Sequence, residues 1–461
     1  MKELDTIRQV YFLGIGGIGM SALARYFKAD RKQVAGYDRV ATDLTRELEK
    51  EGIMIHYADS ADLIPQAFKV PRHTLVVMTP AIPADHSELA YFRSLGYAIS
   101  KRSEVLGLIT RNKKTIAVAG THGKTTVSSM IAYLMSRAGP GCSAFLGGIA
   151  RNFNSNLVLD RNSEWMVAEA DEFDRSFLQL SPWAAVVTAM DPDHLDIYGN
   201  VGDMQVAYNQ FISKINTEGI LLYKHGLPLK PSALPARVHT YSLRDAGDFH
   251  AENVSLRNRQ YHFDLTGPGT RMRDISLLHP GIVNVENAVA ACSLAVLSGL
   301  DPERVRTAMA GFTGIRRRFE YHINSENLVF IDDYAHHPRE IEATLLSLRE
   351  LYPDKKLTGI FQPHLYSRTR DLADSFAESL DLLDDLILLD IYPARELPVQ
   401  GVSSELIYNK VKHASKTMCS KEGLLRELKQ RKPEVLITLG AGDIDGLVEP
   451  IKDQLLKRVG T

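Results

Sequence analysis

Two glycine-rich segments of the chain have residue types and spacing suited to binding phosphate. The first segment reads Gly14-Ile15-Gly16-Gly17-Ile18-Gly19. Asp38 follows it by about 20 residues, at the end of a second predicted strand, where an acid can hydrogen-bond a ribose. Glycines let the backbone approach a diphosphate at the N-terminus of a helix. The segment predicts a nucleotide diphosphate site that NAD, FAD or a UDP-sugar would satisfy, with a ligand-free tight turn as the structural alternative.

The second segment follows another predicted strand and opens a helix. It reads Gly120-Thr121-His122-Gly123-Lys124-Thr125-Thr126. Its backbone N–H groups and Lys124 can bind the β- and γ-phosphates of ATP, and the Thr125 hydroxyl can ligate Mg²⁺. Val118 occupies the position of the first glycine in the longer GxxxxGK[ST] pattern, so this loop is of a shorter kind. Two such loops in one chain predict an enzyme that couples ATP to a nucleotide-linked substrate.

Acidic residues follow the next two predicted strands. One cluster is Glu169-Ala170-Asp171-Glu172, and the other is Asp191-Pro192-Asp193-His194-Leu195-Asp196. The carboxyl ends of parallel strands meet at one edge of a sheet, so both clusters are expected beside the second loop. Acids in that position hold or orient Mg²⁺. The alternative is that they are capping and turn residues, since Asp191-Pro192 is a good turn starter.

Histidine and arginine residues follow two strands near the end of the chain. They lie in the segments Asp332-Asp333-Tyr334-Ala335-His336-His337-Pro338 and Gln362-Pro363-His364-Leu365-Tyr366-Ser367-Arg368-Thr369-Arg370. Groups of this kind suit recognition of a carboxylate or of a transferred phosphoryl group, because arginine offers a two-pronged donor. The alternative is that they are solvated loop residues.

The elements that position these groups alternate between strand and helix, which predicts α/β layers with mostly parallel sheets. We predict strands at residues 10–13, 34–37, 75–78, 115–119, 165–168, 185–189, 329–331, 357–361, 386–389 and 435–439. Short alternating runs at 247–277, broken by Gly267-Pro268-Gly269, predict a small antiparallel insertion. A length of 461 residues suggests several domains. We predict three, at 1–110, 111–315 and 316–461.

Composition excludes some classes of protein. The net charge of −2 results from 54 basic and 56 acidic residues, so no general attraction to nucleic acid or to a membrane surface is expected. Three widely separated cysteines favour a reducing compartment over a disulfide framework or a zinc site. The first residues do not read as a signal peptide, and no apolar run approaches the roughly 20 residues that span a bilayer. A soluble, cytoplasmic enzyme is expected.

The motifs occur together in an order that resembles the Mur ligases of peptidoglycan synthesis, over nearly the whole chain. They are Gly-Ile-Gly-Gly-Ile-Gly-Met-Ser-Ala-Leu-Ala at 14–24, Gly-Thr-His-Gly-Lys-Thr-Thr at 120–126, Glu-Ala-Asp-Glu at 169–172, Asp-Pro-Asp-His-Leu-Asp at 191–196, Asn-Val-Glu-Asn at 284–287, Arg-Arg-Phe at 317–319, Asp-Tyr-Ala-His-His-Pro at 333–338 and Gln-Pro-His-Leu-Tyr-Ser-Arg-Thr-Arg at 362–370. The resemblance implies an α/β fold of three domains, in which Rossmann-like N-terminal and C-terminal domains flank a central P-loop ATPase-type domain.

The resemblance also implies a reaction. ATP phosphorylates the lactyl carboxylate of UDP-N-acetylmuramate to give an acyl phosphate and ADP, and the amine of L-alanine displaces phosphate to form an amide. The expected cofactors are ATP and Mg²⁺, with two ions and with Mn²⁺ as a substitute. Such a reaction belongs to cell wall biogenesis, and through it to cell shape, cell division and the cell cycle.

Roles transfer from the family onto individual positions. The resemblance implies catalytic roles for Lys124, Glu169, His194, His336 and Arg368. It implies metal contacts at Thr125, Glu169 and His194, and UDP-sugar contacts at Gly14, Gly16, Gly17, Gly19 and Asp38. It implies ATP contacts at Gly120, Thr121, His122, Gly123, Lys124, Thr125, Thr126, Asn284, Asn287, Arg318, Asp332 and Tyr334.

The chain also departs from the family pattern at several positions. Val283 stands where many relatives have histidine, and Leu365 stands where relatives often have arginine. Residues 208–210 are Tyr-Asn-Gln, where several ligases of later steps carry a carbamylated lysine nearby, so no modified lysine is expected.

Three alternatives remain at this point. One is a recycling ligase that attaches a tripeptide to the same sugar. Another is an NAD-dependent dehydrogenase, which explains only the first loop. The last is a nucleotide-gated binding protein. The oligomeric state stays open.

Overall fold

The computed structural model describes residues 4–111, 113–192, 195–231, 234, 236–394, 396–413 and 415–459. Within these residues the strands form three sheets. Each sheet arises from one of the three predicted segments, and most of their pairings are parallel, so the predicted α/β class is confirmed. In the described parts of the chain, no helix combines the length and the apolar character needed to cross a membrane.

The first sheet has five parallel strands in the order β3-β2-β1-β4-β5. Its strands are β1 (Gln9–Leu13), β2 (Gln33–Tyr37), β3 (Met54–His56), β4 (Thr74–Met78) and β5 (Ala98–Lys101). Its helices are α1 (Ile18–Ala29), α2 (Asp43–Lys50), α3 (Ser87–Ser94) and α4 (Arg102–Thr110). Helix α1 begins at Ile18, so Gly19 lies within its first turn. The central strand β1 is buried, which places the loop after it at the carboxyl edge of the sheet.

The second sheet has ten strands in the order β15-β14-β13-β12-β11-β10-β6-β9-β7-β8. Its strands are β6 (Lys114–Ala119), β7 (Ser143–Ala150), β8 (Ser155–Val158), β9 (Trp165–Ala170), β10 (Ala184–Val187), β11 (Ile220–Lys224), β12 (Arg237–Ser242), β13 (Phe249–Arg257), β14 (Gln260–Gly267) and β15 (Thr270–Leu277). Its helices are α5 (Lys124–Ala138), α6 (Leu195–Tyr198), α7 (Val201–Ile212), α8 (Ile282–Leu297) and α9 (Pro302–Met309). Strand β6 lies between β9 and β10, which brings the ends of those strands beside the second loop.

The predicted β insertion is not a separate sheet. Strand β13 pairs in parallel with β12, so the insertion extends the edge of the central sheet. Two residues, Asn258 and Arg259, connect β13 to β14, and both have positive φ angles (52° and 62°). A two-residue loop of this conformation is typical of an antiparallel hairpin, because parallel strands need a longer crossover. The antiparallel character was therefore predicted correctly, whereas the sequence gives no sign that the insertion joins the central sheet.

The third sheet has six strands in the order β16-β17-β21-β18-β19-β20, and only the edge pair β16–β17 is antiparallel among the pairings described. Its strands are β16 (Glu320–Asn324), β17 (Val329–Asp333), β18 (Leu357–Phe361), β19 (Asp385–Leu388), β20 (Lys416–Met418) and β21 (Val435–Leu439). Its helices are α10 (Pro338–Leu351), α11 (Tyr366–Asp371), α12 (Ala373–Leu380), α13 (Glu405–Tyr408), α14 (Lys421–Lys429) and α15 (Val448–Val459). Apolar clusters cover both faces of this sheet, as expected for a parallel arrangement.

The chain divides into two compact units. The first comprises the described parts of Met1–Val254, His262–Ser276 and Glu286–Phe312, and it contains the first sheet and most of the second. The second comprises Ser255–Tyr261, Leu277–Val285 and the described parts of Thr313–Thr461, and it contains the third sheet. Within the first unit, Asn156 of β8 accepts a hydrogen bond from Arg25 of α1 (2.7 Å) and donates one to the Ile18 carbonyl (2.6 Å). These bonds tie the helix after the first loop to the central sheet.

Candidate active site

The second loop runs from the end of β6 into α5. Gly120 and Gly123 have φ angles of +136° and +81°, which L-residues with side chains rarely adopt, so glycine is required at both. Thr188 anchors the loop, because its hydroxyl donates a hydrogen bond to the carbonyl of His122. Thr121 accepts a hydrogen bond from the Asp191 amide (3.1 Å), and His122 Nε2 lies 3.8 Å from an Asp191 carboxylate oxygen. Four of the predicted ATP contacts, at positions 120–123, therefore lie together beside the end of β10.

The ammonium of Lys124, the first residue of α5, forms hydrogen bonds to other groups of the chain. It donates to the Gly120 carbonyl (2.7 Å) and to both carboxylate oxygens of Glu172 (2.9 and 2.7 Å). The Glu172 side chain is 1% exposed, so this is a buried ion pair. Burial lowers the pKa of Lys124, but the carboxylates of Glu172, Asp171 and Glu169 outweigh it and raise the pKa above its ordinary value. Lys124 stays charged, and its three N–H donors all have partners.

Thr125 and Glu169 come together next to this pair. The Thr125 hydroxyl lies 3.0 and 3.1 Å from the two oxygens of Glu169, which is in register with Val118 on the neighbouring strand. Thr126 is buried in the same helical turn. The amide oxygen of Asn287 lies 3.0 Å from the position a Cβ would take on Gly123, so this predicted ATP contact also reaches the loop. The predicted ligand His194, with Asp193, lies outside the described residues.

The oxygen atoms at this edge fit a hard divalent cation. Thr125 and Glu169 offer a hydroxyl and a carboxylate at hydrogen-bond distance from each other, and Mg²⁺ prefers such oxygen ligands. Among the residues with described positions, no group of three or more His, Cys, Asp or Glu is arranged to hold a metal.

The first loop relies on its backbone. Gly14 has a φ of +85°, and Gly17 caps helix α1 with extended backbone. The Gly16 amide donates a 2.7 Å hydrogen bond to Asp38, the acid predicted to meet a ribose. Asp38 also accepts from the Val40 amide (3.2 Å). The five predicted UDP-sugar contacts therefore form one cluster at the carboxyl edge of the first sheet.

A cavity of about 310 Å³ lies between the first loop and Glu169. Its described lining consists of Gly17, Ile18, Gly19, Met20, Ala22, Leu23, Thr79, Arg102, Leu106, Phe145, Leu146, Gly147, Glu169 and Asp171. Glu169 faces this cavity and also contacts Thr125 of the second loop. The cavity thus reaches from the first loop to the carboxylate that Thr125 of the second loop contacts.

The remaining predicted groups lie in the second unit. Asp332 is buried, accepts from the Thr438 hydroxyl (2.6 Å) and pairs with Arg317 (3.3 Å). The Arg317 and Arg318 guanidinium groups lie 5.1 and 5.7 Å from the centre of the Tyr334 ring. Asn284 is also in this unit, where its amide donates to the Pro280 carbonyl (2.5 Å).

His336 lies at the centre of the cluster in the second unit. Its Nδ1 is 3.1 Å from the Tyr334 carbonyl and 3.3 Å from a Glu340 oxygen, and its ring is 5.9 Å from that of His364. Burial lowers the pKa of His336, Glu340 opposes that change, and Arg368 adds to it. His336 is therefore neutral at neutral pH. Arg368 is carried by α11, whose N-cap Leu365 has an unusual φ of +71°.

Sequence reasoning missed three residues at these clusters. Glu172 was noted as part of an acidic run but not as the partner of Lys124. Arg317 pairs with Asp332 and was named only as part of the Arg-Arg-Phe motif, whereas an ATP contact was predicted for the neighbouring Arg318. Arg102 lines the cavity and was not considered. Its position directly after β5 is the one available signal, because strand ends of α/β sheets carry ligand groups.

Comparisons with known proteins agree along the whole chain. The model of the Mur ligase family, catalytic domain, matches residues 9–114; that of the Mur ligase middle domain matches residues 118–295; that of the Mur ligase, glutamate ligase domain, matches residues 317–442. The UDP-N-acetylmuramate–L-alanine ligase of Parabacteroides distasonis is 52% identical over 458 residues, with 99% of both chains covered. The enzyme of that name from Cytophaga hutchinsonii is 46% identical over 461 residues, again with 99% of both covered.

Solved structures give the same picture. The UDP-N-acetylmuramate-alanine ligase from Thermotoga maritima matches with a TM-score of 0.82 at 28% identity, covering 98% of this chain and 99% of that one. A murein peptide ligase from Psychrobacter arcticus matches with a TM-score of 0.71 at 23% identity, covering 98% and 99%. At that identity the second likeness concerns the fold alone.

Proposed function

Because the chain belongs to the Mur ligase family, and so performs ATP-dependent ligation in peptidoglycan synthesis, we propose that it joins L-alanine to the lactyl carboxylate of UDP-N-acetylmuramate. One observation carries the proposal beyond family membership. A single cavity extends from the glycine loop suited to UDP to Glu169, which contacts Thr125 of the ATP loop. A UDP-sugar held at one end presents its other end to the ATP loop.

The chemistry follows from the weakness of a carboxylate as an acylating agent. A carboxylate oxygen attacks the γ-phosphorus of ATP, the bond to ADP breaks, and an acyl phosphate forms. The alanine nitrogen then attacks the carbonyl carbon and loses a proton, and phosphate leaves as the amide forms. Lys124 neutralises charge that grows on the phosphoryl group during transfer, which matters most in a site that excludes water. This use of Lys124 requires that phosphate oxygens replace Glu172 as its partner.

Mg²⁺ is the proposed cofactor, and Mn²⁺ is expected to substitute for it. Thr125 would hold one ion, and Glu169 and His194 would hold a second one. The ions supply positive charge to the phosphate oxygens.

The second unit carries further residues with proposed ligand-binding roles. Arg318 and Tyr334 present a cation over an aromatic ring, which suits a nucleotide, and Asp332 is held rigid behind them by Thr438 and Arg317. Neutral His336 and charged Arg368 are proposed to receive the amino acid, whose carboxylate an arginine can bind with two hydrogen bonds. The domain limits 1–110, 111–315 and 316–461 and a cytoplasmic location are part of the same proposal.

A panel of acceptors tests the assignment. Phosphate release and product mass are measured with ATP, UDP-N-acetylmuramate and, in turn, L-alanine, glycine, L-serine and the tripeptide of the recycling reaction. We expect L-alanine to be fastest, with glycine and L-serine slower. Preference for the tripeptide would assign the chain to the recycling ligases instead. Hydride transfer from NADH to any substrate would contradict both.

A further inference from the structure

Arg102 occupies an unusual place in the first unit. It is the first residue of α4, directly after β5, and its side chain is 24% exposed. Its Nη1 lies 2.8 Å from the position that a Cβ would take on Gly19, so the guanidinium rests against the first turn of α1. Any side chain at position 19 would displace it. Arg102 therefore lies where the first loop meets the cavity.

Part of the hydrogen-bonding capacity of the guanidinium is unused within the described residues. Nη2 donates to Asp171 (3.1 Å), which fixes the direction of the side chain. Nε and Nη1 make no hydrogen bond to any residue that the structure describes. Arginine cannot lose its proton in a protein, so these donors belong to a permanent cation. They are available to an anionic group in the cavity.

An anionic ligand in this cavity needs a cationic partner, because the other charged lining residues are acidic. Glu169 and Asp171 supply negative charge at the inner end, and Arg102 is the sole cationic side chain among the described lining residues. A UDP-sugar brings a diphosphate and, in UDP-N-acetylmuramate, a lactyl carboxylate. The α1 N-terminus offers backbone amides and a positive helix dipole to the diphosphate. The carboxylate, which must approach the acidic end to react, has no such partner.

We propose that Arg102 binds the lactyl carboxylate and so selects UDP-N-acetylmuramate over UDP-sugars without that group. This role rests on the proposed function. The planar guanidinium can donate two parallel hydrogen bonds to a carboxylate, one from Nε or Nη1 and one from the second N–H of Nη2, while Asp171 accepts the first N–H of Nη2 and fixes the side chain. In that position the carboxylate lies between the first loop and Glu169, on the path to the second loop.

Calorimetry with two sugars separates the possible roles of Arg102. UDP-N-acetylmuramate and UDP-N-acetylglucosamine share the diphosphate and differ in the lactyl group. We expect the wild type to bind UDP-N-acetylmuramate more tightly. Arg102→Gln should weaken that ligand roughly 10- to 100-fold, the range for a hydrogen bond to a charged group. Binding of UDP-N-acetylglucosamine should change by less than about twofold.

Two further variants complete the experiment. Arg102→Lys keeps the charge without the two-pronged donor, so it should show a partial loss for UDP-N-acetylmuramate alone, and it carries the test if Arg102→Gln does not fold. Lys101→Gln is the matched control, because Lys101 is adjacent, pairs with Asp174 (2.7 Å) and does not line the cavity. It should leave both affinities unchanged.

Three outcomes would decide against Arg102 as the selecting residue. Equal losses for both sugars would make it a diphosphate ligand. No loss for either would make it a brace for Asp171. A wild type that binds the two sugars equally would remove the selection itself. A wild type that binds neither sugar would instead contradict the proposed function.

Discussion

The first loop (Gly14–Gly19) and the second loop (Gly120–Thr126) share a plan, since each leaves a buried parallel strand and opens a helix. The two loops differ in the groups that they offer to a charged ligand. The first loop offers mainly backbone groups, and the nearby Asp38 accepts a hydrogen bond from the Gly16 amide. The second loop works through side chains, and Lys124 and Thr125 already have carboxylate partners in Glu172 and Glu169. The difference is consistent with the proposal that the first loop holds a substrate and that ATP phosphates replace Glu172 and Glu169 at the second loop.

The largest effect is expected at the buried pair of the second loop. Glu172→Gln leaves the ammonium of Lys124 without a charged partner, and removing one member of a buried pair costs roughly 3–5 kcal/mol. Thermal unfolding should start at a clearly lower temperature without nucleotide. ATP should then stabilise the variant more than the wild type, because its phosphates restore the missing negative charge.

Glu164→Gln is the matched control for that experiment. Glu164, directly before β9, forms an exposed pair with Lys114, the first residue of β6, and such pairs contribute about 0–1 kcal/mol. An equal ATP-induced rise in Tm for Glu172→Gln and the wild type would contradict the idea that phosphate replaces Glu172.

Lys124 itself is expected to show the next largest effect. Lys124→Ala removes a preorganised cation from the transferred phosphoryl group, and removal of one such donor lowers kcat by at least roughly 100-fold. Steady-state kinetics with all three substrates would measure it. Lys114→Ala, which changes the lysine at the other end of β6, should keep normal turnover. Near-normal turnover of Lys124→Ala would show that the loop has been misread.

A smaller effect is expected in the first loop. A Cβ on Gly17 would meet Met20 at 3.6 Å and the Gly14 carbonyl at 3.7 Å, which are ordinary contacts, so Gly17→Ala should fold normally. The added methyl would lie where a diphosphate approaches the backbone, and crowding of this kind costs about 1–3 kcal/mol. The KM for the UDP-sugar should rise by roughly tenfold, with kcat nearly unchanged. A fall in kcat at constant KM would give the first loop a part in the chemistry.

The smallest effect is expected at Asp38. Asp38→Asn keeps an oxygen for the Gly16 amide but loses the charge, and the net difference for one hydrogen bond is about 0.5–1.5 kcal/mol. The affinity for UDP-N-acetylmuramate should fall by a few-fold in calorimetry. Unchanged affinity would restrict Asp38 to holding the empty loop.

Much of this architecture could be predicted because local patterns determine it. Runs such as Val10–Leu13 and Val435–Leu439 are buried on both faces and read as parallel strands, and glycine spacing marks the turns that need it. The strands β7 and β8 at one end of the central sheet were not predicted, because residues 146–149 of β7 read Leu-Gly-Gly-Ile, which has no strand period. The sequence also could not show that the insertion joins the central sheet, because the pairing of β12 with β13 depends on tertiary contacts.

The site shows the same limit. Residues within motifs, such as Lys124, Thr125 and Glu169, came together as predicted. The pairing of individual side chains could not be found, since the motif at 169–172 offers three carboxylates and the sequence does not show that Glu172 meets Lys124 or that Asp171 meets Arg102. The roles of all these residues, those of the second unit and of His194 included, stay predictions.

The central claim is that the two loops serve one reaction, and phosphate release measures it most directly. The rate of release from ATP is recorded with UDP-N-acetylmuramate and L-alanine together and with each omitted in turn. We predict rapid release only when both are present, because the first loop must supply the carboxylate that receives the phosphoryl group and the amine must then displace phosphate. Equal release without the UDP-sugar would contradict the account, since the second loop would then act without the first.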